Sequence, residues 1–256
     1  MDLGLTGRSA LVTGASRGLG YAIAHALAAE GANVTAVARS AERLAQLAGT
    51  TAVPGRIQTR TCDLADAAAI ARLADDLAAT DILVINTGGP APSTAADTTD
   101  ETWTAQFEAM FLSAIRLTRL ALPGMRARAF GRIIAVVSSG VIQPIPNLGV
   151  SNAIRLALVG WAKTLATEVA AAGITVNCLA PGRIATDRVA QIDQARARRE
   201  GLAVEEVERQ SRATIPAGRY GEPDDLAAMA AFLASGRSAY VTGSVVRVDG
   251  GMIRSV

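Results

Sequence analysis

The stretch Arg8–Gly20, RSALVTGASRGLG, decides the fold of this chain. Its first part, Arg8 to Thr13, is a short apolar run typical of a buried strand, and the glycine-rich turn Gly14 to Gly20 opens a helix expected to reach about Glu30. Glycines let the main chain pass close to a pyrophosphate, and the N–H groups and dipole at a helix N-terminus attract its charge. The stretch therefore predicts a dinucleotide-binding βαβ unit, with a purely structural turn as the alternative.

The cofactor contacts expected in this unit come from the turn and from the end of the second strand, Asn33 to Ala38. In the turn they are Gly14, Ser16, Arg17, Gly18, Leu19 and Gly20. The second strand ends at Arg39, where an acidic residue would hold the ribose 2′-OH of NAD. Arg39 and Arg17 instead suit a 2′-phosphate, which guanidinium binds in a bidentate way. NADP(H) is favoured over NAD(H), unless both arginines are merely solvated.

The next two strands also deliver polar groups to the edge of the sheet. Arg56 to Cys62 ends in Asp63-Leu64, which we expect at the adenine edge, although Asp63 also suits the N-cap of the following helix. Asp81 to Ile85 is a continuous apolar run, typical of a buried parallel strand. It delivers Asn86-Thr87-Gly88-Gly89-Pro90 to the carboxyl edge, where open α/β sheets bind ligands, so Asn86 and Gly88 are candidate cofactor contacts.

The second half of the chain continues the alternation of strands and helices. Thr98-Thr99-Asp100-Glu101 resembles a capping box. The predicted elements are a helix from that box to about Ala121, a strand at Gly131–Val137 presenting Ser138 and Ser139, a helix from about Val150 to Ala172, a strand at Ile174–Leu179 followed by the loop Pro181–Asp187, a helix at Pro223–Ala234 and a strand at Ser244–Val248. Charged residues dominate from 187 to 215, which predicts helices interrupted near Gly201. This insertion is either a lid over a substrate or a solvated excursion.

Composition limits the classes of protein and partner. The chain has 256 residues, is 50% hydrophobic and carries a net charge of +2, which suits one α/β domain spanning residues 1–256. Sparse aromatic residues and no basic run argue against nucleic acid, and no apolar run is long enough for a membrane. The N-terminus lacks a secretion signal, so we expect a cytoplasmic protein. Cys62 and Cys178, near the ends of predicted strands, are expected to be buried thiols, and no metal site is predicted.

Together these segments resemble the short-chain dehydrogenase/reductase family, particularly its 3-oxoacyl-ACP reductase-like branch. The resemblance covers essentially the whole chain. It is carried by TGASRGLG at 13–20, CDL at 62–64, NTGG at 86–89, GRIIAVVS at 131–138, ITVN at 174–177, Pro181-Gly182, and YVTG at 240–243 through DGG at 249–251. It implies a single-domain Rossmann fold with a seven-stranded parallel sheet in the order 3-2-1-4-5-6-7, helices on both faces, and a homo-oligomer, commonly a tetramer. It also implies nicotinamide contacts from Pro181, Gly182, Ile184 and Thr186.

The family's active site comprises an Asn, a Ser, and a Tyr and a Lys four residues apart. The resemblance aligns the Ser with Ser138, for which Ser139 is a substitute. It aligns the Asn with Met110, the Tyr with Ser151 and the Lys with Arg155, so only the serine is retained. A serine hydroxyl is far less acidic than a phenol, so Ser151 is expected to hydrogen-bond a carbonyl rather than to supply a proton. Arg155 does not release protons near neutral pH, but its fixed charge is expected to bind the nicotinamide ribose or an oxyanion, so it is a candidate cofactor contact as well as a candidate catalytic residue.

Three hypotheses about function follow. The first is an NADPH-dependent oxidoreductase that reduces a carbonyl or conjugated enone of a small-molecule or acyl-thioester substrate, with Ser138, Ser151 and Arg155 stabilising an enolate. The segment Ile174 to Asp187, with a serine at the tyrosine position, resembles atypical short-chain reductases of antibiotic pathways that act on enones. The second is an NADP-binding protein without turnover, acting as a sensor or partner subunit. The third, a non-redox lyase or cyclase, has no positive support.

Overall fold

A parallel sheet forms the centre of the molecule in the computed structural model, which describes residues 2–49 and 55–255. Its seven strands lie in the order β3-β2-β1-β4-β5-β6-β7, which confirms the predicted topology. The strands are β1 Ser9–Thr13, β2 Asn33–Ala38, β3 Ile57–Thr61, β4 Ile82–Ile85, β5 Gly131–Val136, β6 Ile174–Pro181 and β7 Val245–Val248. Neighbours all pair in parallel, so every carboxyl end lies at one edge.

Helices connect the strands and cover both faces of the sheet. The α-helices of the described residues are α1 Gly18–Ala29, α2 Ala41–Gly49, α3 Ala67–Ala71, α4 Ala74–Ala78, α5 Asp100–Phe107, α6 Ser113–Ala127, α7 Gly149–Val169, α8 Asp187–Glu200, α9 Val204–Ala213 and α10 Pro223–Ala234. Helix α10 begins and ends where the sequence predicts, because Pro223 occupies its first position and Glu222 and Asp225 form a capping box.

Successive strand residues point to opposite faces and so build two cores. Val12 packs with Leu27 of α1 and Leu226 of α10 in one core, whereas its neighbour Leu11 packs with Leu117 of α6 in the other. Because helices cover both faces, ligands have access to the sheet at its carboxyl edge.

The predicted long helix after the fourth strand begins and continues differently. Its N-cap is Thr99, whose Oγ1 accepts a hydrogen bond from the N–H of Thr102, so the predicted capping box of Thr98 to Glu101 is wrong. The helix is also interrupted by a π-helical segment, Glu108–Leu112, before it continues as α6 beyond Ala121. A π-helical segment within a longer helix is frequent at functional sites.

Two other boundaries differ from the prediction for local reasons. Helix α7 ends at Val169, and a short 3₁₀ turn over Ala170–Ala172 leads into Gly173, whose φ of 74° stops the helix. Strand β6 runs on to Pro181 because it keeps pairing with β7 up to Val248. These shifts change no connection between elements.

The two cysteines are buried and unpaired, as predicted. Cys178 lies within β6 rather than at its end, and burial raises the pKa of its thiol to about 12. Over residues 2–49 and 55–255 the structure contains no helix with the length and apolarity needed to cross a membrane. The same residues contain no cluster of three or more His, Cys, Asp or Glu side chains suited to a metal ion.

Candidate active site

The glycine-rich turn between β1 and α1 lies at the carboxyl edge and packs tightly. Gly14 and Gly18 have φ values of 61° and 55°, in the left-handed region that glycine adopts without strain. A Cβ on Gly14 would overlap the carbonyl oxygen of Asn86, and one on Gly20 would overlap the carbonyl oxygen of Gly14. No side chain caps α1, and its first turn contains no acidic residue. Its N-terminal N–H groups and dipole therefore suit a phosphate, as the dinucleotide prediction requires.

Asn86, predicted as a cofactor contact, ties two parts of this edge together. Its Nδ2 donates to the carbonyl oxygen of Gly14 at 3.4 Å, and its main-chain N–H donates to Oγ1 of Thr13 at 2.9 Å. The side chain thereby fixes the end of β4 against the glycine-rich turn. Gly88, two residues later, is exposed, and no atom lies within 4 Å of the position of a Cβ. The space beside its Cα is open to a ligand, whereas its carbonyl oxygen accepts a hydrogen bond from Arg155.

The loop after β6 converges on the same turn. The N–H of Gly182 donates to the carbonyl oxygen of Val248 at 2.9 Å, and a Cβ on Gly182 would lie 2.7 Å from Cα of Asp249. Ile184 is buried, whereas the methyl group of Thr186 would lie 3.5 Å from a Cβ on Gly18. The structure thus brings the loop Pro181–Thr186 over the N-terminus of α1.

Arg39 and Arg17, predicted together at a 2′-phosphate, differ in their surroundings. Arg39 is exposed, and among the described residues no carboxylate forms an ion pair with it. Arg17 pairs with Asp187 of α8 at 3.0 Å, and both side chains are more than half exposed. Such a surface pair contributes little free energy, so an incoming phosphate can displace it.

Asp63 does not cap the helix that follows β3. Its Oδ1 accepts from the N–H of Ala65 at 3.1 Å, whereas the N-cap of α3 is Asp66, whose Oδ1 accepts from the N–H of Ala68 at 2.8 Å. The helix starts later than the sequence suggested, which leaves Asp63 exposed at the sheet edge beside the half-buried Leu64.

Ser138 is the better placed of the two candidate serines after β5. Its Oγ accepts from the N–H of Gly140 at 3.0 Å and caps a short 3₁₀ turn, and its side chain is partly accessible. Because the oxygen accepts that bond, the hydroxyl proton is free to be donated to a substrate. Ser139 is only 2% exposed, so the structure does not favour it as a substitute.

Ser151 and Arg155 lie one turn apart on α7 and are joined by a hydrogen bond. Nε of Arg155 donates to Oγ of Ser151 at 3.3 Å. Nη1 donates to the carbonyl oxygen of Val136 at 2.8 Å, and Nη2 donates to that of Gly88 at 3.2 Å. The guanidinium therefore joins α7 to the end of β5 and to the loop that follows β4. Ser151 is itself only 7% exposed, and because it accepts from Arg155, its own proton is not used in that bond.

Arg155 places an uncompensated positive charge at this edge. The residue is only 9% exposed, and no carboxylate of residues 2–49 and 55–255 lies within 4 Å of it. Burial, and secondarily the nearby Arg188, lowers the pKa of its guanidinium to about 10. The group remains charged at neutral pH and creates a positive potential at this edge of the sheet.

Met110 lies in an apolar environment, in contrast to the charged surroundings of Arg155. It lies in the π-helical segment, is 2% exposed, and packs with Val150 and Ile154 of α7. A thioether is a poor hydrogen-bonding group, so no polar relay passes through this position.

The insertion 187–215 is anchored by contacts that sequence reasoning missed. Asp193 of α8 is fully buried, pairs with Arg183 and accepts from the hydroxyl of Tyr220 at 2.7 Å. Arg188, in the first turn of α8, donates from Nη2 to the carbonyl oxygen of Pro90 at 2.6 Å. The charged composition predicted either a lid or a solvated excursion, and no local signal distinguishes these side chains from the exposed ones around them.

Asn152 is a further missed residue. Its Nδ2 donates to the carbonyl oxygen of Ile145 at 2.9 Å, and its Oδ1 lies against Gly140. Asn152 thereby holds the loop that follows Ser138 onto the first turn of α7 and fixes the position of that serine.

A comparison with protein families identifies the family to which this chain belongs. The model described as enoyl-(acyl carrier protein) reductase matches residues 14–253. The chain belongs to the short-chain dehydrogenase/reductase family. This short-chain dehydrogenase/reductase is 36% identical to the 3-oxoacyl-(acyl-carrier-protein) reductase FabG of Vibrio cholerae over 255 residues, which cover 98% of this chain and 99% of that protein.

Solved structures of other short-chain dehydrogenases/reductases superpose on the whole fold. The L-sorbose reductase of Gluconobacter frateurii, complexed with NADPH and L-sorbose, matches with a TM-score of 0.93 at 34% identity, covering 100% of both chains. YwfH, an NADPH-dependent reductase involved in bacilysin biosynthesis, matches with a TM-score of 0.90 at 30% identity, covering 98% of this chain and 100% of that one.

Proposed function

We propose that this protein is an NADPH-dependent reductase that adds hydride to the β-carbon of a conjugated enone, the finer form of a general carbonyl or enone reduction. One observation carries the proposal: Ser151 and the buried, charged Arg155 are hydrogen-bonded on α7, and Arg155 also donates to the carbonyl oxygen of Val136, two residues before the partly accessible Ser138. The site holds hydroxyl donors and a fixed positive charge, and neither titrates near neutral pH. This combination suits stabilisation of an oxyanion better than delivery of a proton to it.

Bound NADPH would supply the hydride, and the chain's own residues would manage the charge that develops on the substrate. Hydride arriving at the β-carbon moves the electron pair onto the carbonyl oxygen and produces an enolate. Ser138 and Ser151 would donate to that oxygen, and Arg155 would add its positive potential through Ser151. Water then gives the α-carbon its proton, so the hydride and the proton together complete the reduction.

Reduction of a simple ketone makes a greater demand on the same residues. The product is an alkoxide, which is far more basic than an enolate and needs a proton donor in the transition state. Serine hydroxyls are poor acids and Arg155 stays protonated at neutral pH, so neither supplies that proton efficiently. The site therefore favours the enone.

The preference for NADP(H) rests on Arg39 and on the relatives solved with NADPH, whereas the uncapped N-terminus of α1 suits the pyrophosphate that both nicotinamide cofactors carry. The residue directly after β2, where an acidic side chain would hold a ribose 2′-OH, is Arg39. Replacement Arg39→Ala is expected to weaken NADPH binding about tenfold and to leave NADH binding unchanged, as measured by fluorescence titration. Equal effects on the two cofactors would contradict this role.

The substrate preference is tested with NADPH and a panel of cyclic enones, saturated ketones and β-ketoacyl thioesters. We expect the enones to be converted to saturated ketones with a kcat/KM at least about 100-fold above that of the other two classes. Saturated ketones turned over as fast as enones would overturn the enone assignment. Tight NADPH binding with no oxidation across the panel would overturn catalysis altogether.

We also propose that the protein acts as a homo-oligomer, a tetramer or a dimer. Val245 and Val246 of β7 are only partly buried, Leu156 of α7 is 54% exposed, and Tyr240 is fully exposed. Apolar groups of this kind on an edge strand and a long helix suit contact with a second copy. Analytical ultracentrifugation tests this proposal, and a monomer at all concentrations would contradict it.

A further inference from the structure

Two arginines from distant parts of the chain converge at the carboxyl edge of the sheet. A Cβ built on Gly89 would lie 3.6 Å from Nη2 of Arg188 and 3.8 Å from Nη2 of Arg155. Arg188 stands in the first turn of α8, whereas Arg155 stands on α7. Both guanidinium groups therefore face the same short loop, which follows β4.

The two groups differ in how many donors remain available. The described contacts of Arg155 occupy all three of its nitrogens, with Ser151 and with main-chain carbonyls. Arg188 makes one hydrogen bond, to Pro90, and is partly accessible. Among residues 2–49 and 55–255, neither arginine has a carboxylate within ion-pair distance. Arg188 therefore has N–H groups free for a ligand, and the nearby charge of Arg155 increases the positive potential there.

This arrangement is unfavourable without an anion. The two like charges repel each other, and Arg188 lies at a helix N-terminus, where the dipole opposes a cation. Thr186, the N-cap of α8, makes no capping hydrogen bond with its side chain, so the N–H groups of that first turn add to the positive potential. The one carboxylate in the turn, Asp187, is paired with Arg17 rather than with Arg188. Burial lowers the pKa of Arg188 as well as that of Arg155. A bound anion would relieve each of these costs.

We propose that Arg188 determines substrate specificity by binding a carboxylate on the enone substrate, with Arg155 reinforcing the positive charge. The position supports a substrate group, because Arg155 also contacts Ser151 and the end of β5 at Val136, away from the strands β1 to β3 that carry the adenine half in this fold. The inference rests on the proposed function for the identity of the reacting group. It adds that the substrate is an acid.

The pyrophosphate of the cofactor is the other anion that enters this cleft, and the test separates the two sources. The variants are Arg188→Gln, Arg188→Lys and the control Arg198→Gln, an exposed residue in the last turn of the same helix. The substrates are a cyclohexenone bearing a carboxylate and the methyl ester of the same compound. Binding of NADPH is followed by fluorescence in parallel.

We expect the wild-type protein to prefer the acid to the ester, and Arg188→Gln to lower kcat/KM for the acid about 30-fold, mainly through KM. The ester and the affinity for NADPH should change less than about threefold, Arg188→Lys should recover part of the loss, and Arg198→Gln should match the wild type. Equal losses for acid and ester would overturn the proposal, as would a loss of NADPH affinity comparable to the loss for the acid.

A binding measurement keeps this test independent of turnover. Cyclohexanecarboxylate, which cannot be reduced, is titrated calorimetrically into the protein saturated with NADP⁺. Binding to the wild type that is lost in Arg188→Gln would support the carboxylate site even if no enone is reduced. No binding to the wild type, or equal binding to both, would overturn it.

Discussion

Nε of Arg155 donates a hydrogen bond to Oγ of Ser151 at 3.3 Å, across one turn of α7. Oγ of Ser151 thereby accepts a hydrogen bond from a buried cation, and the hydroxyl proton of the serine remains available for another acceptor. The bond orients the hydroxyl of Ser151 as a hydrogen-bond donor next to a positive charge. The first two predictions follow from this pair.

Replacement Ser151→Ala removes one donor to the developing oxyanion. We expect kcat for enone reduction to fall roughly 10-fold to 100-fold, with little change in the affinity for NADPH, because the residue acts mainly in the transition state. Thr164→Ala, an exposed position on the same helix, is the control and should leave kcat unchanged. Steady-state kinetics with a cyclic enone measure both, and an unaltered kcat in Ser151→Ala would remove the serine from the mechanism.

The dependence of kcat on pH tests whether the site lacks an acid that titrates near neutral pH. A guanidinium is charged below its pKa, and that of Arg155 is lowered to about 10, first by burial and then by Arg188. We expect kcat to be flat from about pH 6 to about pH 9 and to fall as the pH rises through the pKa of Arg155. Initial rates in constant ionic strength buffers test this profile. An inflection near pH 7 would indicate a proton donor other than these residues.

The glycine-rich turn predicts a sharp contrast between two glycines. Gly14→Ala places a methyl group against the carbonyl oxygen of Asn86 at a φ of 61°, so we expect a loss of at least about 2 kcal/mol in the free energy of unfolding and a loss of NADPH binding. Gly160 lies in the middle of α7, and a Cβ built on it would have no neighbouring atom within 4 Å outside the backbone of that helix. Gly160→Ala should therefore raise the free energy of unfolding by about 0.5–1 kcal/mol. Urea unfolding distinguishes them, and similar effects at both sites would contradict the packing described.

The buried anchor of the insertion should be energetically important. Asp193→Asn removes the buried negative charge that pairs with Arg183 and is expected to cost about 3 kcal/mol, whereas Tyr220→Phe removes one neutral donor and is expected to cost about 1 kcal/mol. Limited proteolysis should cut residues 187–215 faster in Asp193→Asn. Unfolding curves and cleavage rates equal to those of the wild type would show that this contact does not anchor the insertion.

Much of the fold was predictable because its signals are local. The apolar run before Gly14, the continuous run Asp81 to Ile85 and the proline at position 223 each determine an element from neighbouring residues. The errors lie where side-chain choices between adjacent residues decide the outcome, as at Thr98 and Thr99, where the second threonine is the N-cap. The π-helical segment around Met110 has no pattern in the sequence that would predict it.

For the candidate site, the sequence predicted contacts between residues close in the chain but not those between distant residues. Ser151 and Arg155 are four residues apart on a helix, so their hydrogen bond follows from helical geometry once both lie on one face. Arg188 meets the loop at Pro90 across a large separation in the chain, and Asp193 meets Tyr220 in the same way. Contacts of that kind depend on tertiary packing, which no local pattern in the sequence specifies.

The central claim is that the site stabilises an enolate after hydride reaches the β-carbon, and the fate of an isotopic label tests it most directly. The protein is incubated with a cyclic enone and NADPH that carries deuterium in the transferred position at C4, and the product is analysed by NMR. We expect a saturated ketone with deuterium on its β-carbon and hydrogen from water on its α-carbon. An allylic alcohol with deuterium on the carbinol carbon would contradict it.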